Sequence, residues 1–186
     1  QLKSIQLQEK YKYNDFKLAT LINIGITYQE FNDYQSALKY YLKGLKLAET
    51  TKDTIQIADI QNNIGLIYVN QKDYHKALKL FTSNIEIFKK NNNHQRIAST
   101  YLNVGLCNLY LEKADAALTN YKLAETYYIK VGDQGGIIKV FNNIGSLFKK
   151  QMKFEEALTY YSKSLEMSKI IDSKRDMAVA MGNMGY

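Results

Sequence analysis

NNIGLIYVNQKDYHKALKLF, residues 62–81, is the stretch on which the fold turns. Ile64, Ile67 and Tyr68 recur at three- and four-residue steps, and Tyr74, Ala77, Leu78 and Phe81 do the same, giving two apolar helical stripes. The break between them spans only residues 70–73, and Asp73 stands where an N-cap belongs. Two helices joined by so short a connection must run antiparallel.

The same hairpin recurs on either side. Gly25, Gly65, Gly105, Gly145 and Gly185 are 40 residues apart each time. Two residues before each stands Asn23, Asn63, Asn103, Asn143 or Asn183, and twelve after come Ala37, Ala77, Ala117 and Ala157. Sixteen after come the aromatics Tyr41, Phe81, Tyr121 and Tyr161. Glycine inside a helix costs about 1 kcal/mol relative to alanine, so its recurrence calls for close approach of the paired helix, with the column alanine on the facing side and the aromatics filling the space beside it. The fold expected is all-α: a right-handed α–α superhelix of antiparallel hairpins. Residues 14–53, 54–93, 94–133 and 134–173 make four repeats, residues 1–13 the tail of a preceding one, and residues 174–186 the first helix of a fifth. Repeat arrays carry polar caps at their ends; neither end shows one and the chain starts at Gln1, so a piece of a longer protein is expected.

Composition agrees. The 186 residues contain no proline, where average usage would give roughly nine, so a common helix stop is missing. With 46% hydrophobic and 23% charged residues the chain is not of disordered type. No apolar run is long enough to span a bilayer. The single Cys107 excludes an internal disulfide framework.

These columns resemble the tetratricopeptide repeat: a large residue at Leu21, Tyr101 and Phe141, an aliphatic before each glycine, an aromatic three after it at Tyr28, Tyr68 and Phe148, then the alanine and the second aromatic. The period of 40 exceeds the usual 34, and Glu49, Lys89, Ile129 and Lys169 replace the usual proline. Six extra residues are expected to lengthen helices rather than loops. The long-period subclass is found in bacterial signalling and regulatory proteins. The resemblance therefore implies a non-catalytic scaffold that binds a protein or peptide segment on the concave face lined by first helices. It also implies the interaction or sensor region of a larger protein, in the cytoplasm or as a periplasmic sensor. Self-association through uncapped ends or the convex face is the alternative function.

On that face, columns six, three and two before the glycine and one, four and five after it form one helical stripe. The asparagines Asn23, Asn63, Asn103 and Asn143 lead it, because a side-chain amide both donates and accepts and can pair with a peptide backbone unit. Several members of the family use such a ladder; alternatively each Asn serves only its own hairpin. Asn62, Asn142, Ile22, Ile26, Leu66, Leu102 and Leu106 complete the candidate surface, with Asp59 toward one end and Lys139 and Lys150 toward the other. A partner with an apolar centre and an acidic end toward repeat four would fit. Chaperone-binding relatives clamp a C-terminal carboxylate, but Ile22 and Ile26 occupy the clamp's first places and Asn143 stands where an arginine belongs, so that function is rejected.

Catalytic signatures are missing. His75, His94 and Cys107 share no metal-ligand spacing, and no phosphate loop, nucleophile elbow or H-E-x-x-H motif occurs. No cofactor or metal is expected. Nor is a nucleic-acid or membrane partner, although the net charge is +7: the lysines lie mostly on second helices among glutamates, the pattern of a solvated face. Gly135 and Gly136 open repeat four, either as a flex point or as local tolerance.

Overall fold

A computed structural model describes residues 2–185, with side chains from residue 13 onward. The described residues form helices only: α1 (Leu2–Glu30), α2 (Tyr34–Thr51), α3 (Thr54–Asn70), α4 (Tyr74–Lys90), α5 (His94–Tyr110), α6 (Ala114–Val131), α7 (Gln134–Lys150), α8 (Phe154–Ile170) and α9 (Lys174–Met184). Helices α2 to α8 are 17 or 18 residues long and joined by two or three residues, so the period of 40 is filled by helix.

One joint recurs at every turn. Its middle residue takes a left-handed conformation, with φ between 51° and 73° at Asn32, Lys52, Lys72, Asn92, Glu112, Gly132, Met152 and Asp172. At most joints the following N–H reaches back six residues inclusive, as from Asp73 to the Tyr68 carbonyl (2.8 Å) and from Lys113 to that of Asn108 (2.9 Å), which closes the preceding helix in a Schellman turn. The same following residue then caps the next helix. Asp33 accepts from the Ser36 N–H, Asp53 from those of Ile55 and Gln56, and Asp133 from that of Gly136. Lys113 and Lys153 supply no cap, and acidic residues in the first turn (Asp115; Glu155 and Glu156) favour those helix starts instead.

This rule explains a departure from expectation. Residues 1–13 were expected to end a separate second helix before the first repeat, yet α1 runs unbroken from Leu2 to Glu30. Tyr13 is in register with Asp53, Asn93, Asp133 and Ser173 but has no short side-chain oxygen to cap a new start.

The chain divides into two compact units, one through Leu80 and one from Phe81 onward. In the first, α1 and α2 pair and α3 packs against α2; its core gathers Leu18, Ala37, Tyr41, Ala48, Ile60, Ile64 and Ile67. In the second, α5 pairs with α6 and α7 with α8, and α9 packs on α8. Its core gathers Ala98, Leu109, Ala117, Tyr121, Ala124, Tyr128, Ile137, Val140, Ile144 and Leu147.

The glycine column proves to serve the aromatic column, not the alanines. A Cβ at Gly25, Gly105 or Gly145 would lie 2.5 Å from the ring of Tyr41, Tyr121 or Tyr161 respectively. Each ring lies flat over its glycine and is at most 2% exposed. Gly136 is neither flex point nor tolerance: it is buried, and the Tyr128 ring occupies the place of its missing side chain.

Candidate functional site

In the second unit, the stripe around the column glycines comes together into a cavity of about 530 Å³ between three first helices. Helix α5 contributes Leu102, Asn103 and Leu106, α7 contributes Gly135, Lys139, Asn142 and Asn143, and α9 contributes Arg175, Asp176 and Val179. The mechanism is helical register: equivalent positions on α5 and α7 are 40 residues apart in sequence, and the two helices touch.

Six of the expected site residues therefore meet: Asn103, Asn142, Asn143, Leu102, Leu106 and Lys139. Asn103 and Asn143 are half-buried, and among the described residues neither amide makes a hydrogen bond. Asn142 is buried to 9% exposure, and its Oδ1 is inaccessible to solvent and has no partner. Lys139 and Arg175 are both exposed, and neither joins an ion pair among the described residues. Asp176 accepts a 2.7 Å hydrogen bond from the Ser173 hydroxyl at the start of α9. The wall is thus amide-lined and positively charged over an apolar floor.

In the first unit, Asn23, Ile22 and Ile26 lie on α1, and Asn62, Asn63, Asp59 and Leu66 on α3. Asn23 and Ile26 are exposed and the others half-buried, with Ile22 packed against the core of that unit.

Lys150 departs from its expected place. Its Nζ donates to the Leu109 carbonyl at 3.2 Å and pairs with Glu112 at 3.5 Å, in a smaller pocket of about 160 Å³ with Leu147 and Gln151. Lys149, in turn, donates to the Asn183 carbonyl. Both cations tie helix ends together, and Arg175 supplies the cavity's second positive charge. Neither Arg175 nor Gly135 was expected. Both stand ten residues before a column glycine, one helical turn beyond the stripe as drawn from sequence, and extending it by that turn would have found them.

The buried tyrosines beneath this face are not acid–base groups at neutral pH. Burial, with a smaller effect of Glu30, pushes the Tyr41 hydroxyl up to about 12, while it donates to Gln29 Oε1 at 3.0 Å. The Tyr161 hydroxyl meets Ser146 Oγ at 3.2 Å. Tyr121 is raised as well by burial, and its hydroxyl has no partner, because Leu109 and Leu106 occupy the registers of Gln29 and Ser146. Burial alone pushes the Cys107 thiol up to about 12, which leaves it a packing residue and not a nucleophile. Among the described residues no helix is long and apolar enough to cross a membrane, and no group of three His, Cys, Asp or Glu side chains could hold a metal.

Stacked helix hairpins with an open, unpaired face on their first helices define a helical-repeat protein of the interaction-scaffold class. Models of the tetratricopeptide repeat match residues 18–51, 56–130 and 138–170, and the chain belongs to that family. Family members are in general protein-interaction scaffolds.

Several solved structures share the fold. A Rap protein complexed with competence and sporulation factor superposes with a TM-score of 0.82 at 16% identity, covering 93% of this chain and 49% of that one. Aspartyl phosphate phosphatase F from Bacillus subtilis gives 0.82 at 15% identity, covering 90% and 44%. A signal transduction ATPase with numerous domains and a tetratricopeptide repeat sensor, from Pyrococcus horikoshii, gives 0.77 at 18% identity, covering 92% and 27%. The chain spans less than half the length of each of these proteins. No curated protein sequence matches it.

Proposed function

We propose that the α5–α7–α9 face binds an extended segment of a partner protein, and that the chain is the interaction or sensor region of a larger signalling or regulatory protein. One observation carries the first part: Asn103 and Asn143 present unpaired amides from neighbouring helices into the same cavity. Each can pair with a backbone unit of the partner through donor and acceptor together, so the segment is held by its main chain while Leu102 and Leu106 cover its apolar side chains. The second part is supported by neighbours of the same fold, one complexed with competence and sporulation factor and one whose repeats are described as a sensor.

The test uses peptides selected from a random library on the wild-type chain. Asn103→Ala with Asn143→Ala should weaken them about tenfold or more, from two lost hydrogen-bonding groups, and leave the melting temperature unchanged. Unchanged affinity, or a lost melting transition with binding retained, sinks the proposal. A second reading, self-association, is favoured by the exposed apolar residues Phe154 and Met181 on α8 and α9; sedimentation at several concentrations checks it, and a purely monomeric chain rules it out.

A further inference from the structure

Gly135 is a glycine that the fold does not require. Its φ is not left-handed, and an added Cβ would meet only Asp133 Oδ1, at an ordinary 3.5 Å. Gly136, its neighbour, is closed against the Tyr128 ring, so the pair divides into one packing glycine and one without a packing reason. In the other repeats the same register holds Asp15, Ile55, Gln95 and Arg175, all with sizeable side chains. The helix is weakened by glycine, and what lies where the side chain would stand is the cavity wall. Beside that opening are Lys139 and Arg175, without ion-pair partners among the described residues, and the buried, unpartnered Oδ1 of Asn142.

We infer that Gly135 is a specificity-determining position: its missing side chain opens the cavity between α7 and α9 to an acidic side chain of the partner segment, which Lys139 and Arg175 receive while Leu102, Leu106 and Val179 take the apolar residues beside it. This rests on the groove reading above and adds the chemistry of the segment. Both cations are exposed, so the selectivity comes from the open space beside them as much as from charge; a side chain at residue 135 fills that space without touching either cation.

The probe is acetyl-Leu-Glu-Leu-amide, titrated into the whole chain while the side-chain amide signals of Asn103, Asn142 and Asn143 are followed by NMR, with the glutamine tripeptide as comparison. The glutamate tripeptide should shift these signals and bind about tenfold more tightly than the glutamine one, by the strength of a charge-assisted contact. Gly135→Gln, which copies Gln95, should weaken the glutamate tripeptide about tenfold while the melting temperature holds or rises. Equal binding of the two tripeptides, equal binding by Gly135→Gln, or no shift in the wild-type chain at millimolar tripeptide overturns the inference. A fall in melting temperature would show that Gly135 is a packing glycine and would overturn it too. The groove reading fails separately, when the library-selected peptides ignore the paired asparagine substitutions.

Discussion

At Gly105 a single added methyl group would sit 2.5 Å from the Tyr121 ring, and that ring is fully buried with no space to retreat into. Gly105→Ala is therefore an overpacking substitution and should lower stability by about 1–3 kcal/mol in urea denaturation. Tyr121→Phe should do the reverse, raising stability by up to about 1 kcal/mol, because it removes a buried hydroxyl that nothing satisfies; the same change at Tyr41 should destabilise, since Gln29 would lose its donor. Equal responses at Tyr41 and Tyr121 would contradict this account. The need for glycine was legible in the sequence, but its partner was not. Periodicity shows which positions recur, whereas which ring covers which glycine depends on how the turn of residues 111–113 sets α6 against α5. The site was half legible for a related reason. The asparagine and leucine columns could be read from the stripe, but Lys150 could not be separated from Lys139, because whether a long cation reaches into a cavity or back to a carbonyl such as that of Leu109 is decided in three dimensions.

Among the elements, helix starts are governed by the residue after each left-handed joint. Asp73 is held below the usual carboxylate range by the side-chain hydrogen bond from Lys76, then by the Lys76 N–H, and Asp33 is lowered chiefly by the N–H of Ser36. A carboxylate with a lowered native pKa stabilises the fold above its ordinary value of 3.8, and that contribution is lost as the pH falls through the native value. Asn at both positions keeps a capping acceptor without the titration. Asp33→Asn with Asp73→Asn should thus flatten the fall in melting temperature below about pH 4, measured by thermal melts from neutral pH downward; an unchanged slope would place the acid sensitivity elsewhere. The caps at Asp33, Asp53 and Asp133 also explain why helix boundaries follow the sequence so closely, and Tyr13 explains why α1 does not stop where the repeat pattern alone would end it.

For the molecule as a whole, stability has to be considered unit by unit. Cys107 is fully buried in the second unit, and burial holds its thiol at about 12, so a thiol reagent at mildly alkaline pH should label it only when that unit opens. Labelling rates should track the unfolding rate measured by circular dichroism; faster labelling of the native chain would reveal local opening at α5. In a repeat protein such opening spreads between neighbouring units rather than engaging the whole chain at once.

The joints bring one more consequence. They recur every 20 residues, at Asn32, Lys52, Lys72, Asn92, Glu112, Gly132, Met152 and Asp172, whereas the glycine and asparagine columns recur every 40. The chain is therefore a set of interchangeable parts with a single type of connector and two alternating kinds of rod. Excising one rod would leave every connector intact yet bring two rods of one kind together, turning an aromatic column toward no glycine; excising a pair restores both rhythms. Change in the length of such a protein is thus confined to steps of a whole hairpin, each of which adds or removes one rung of the asparagine face.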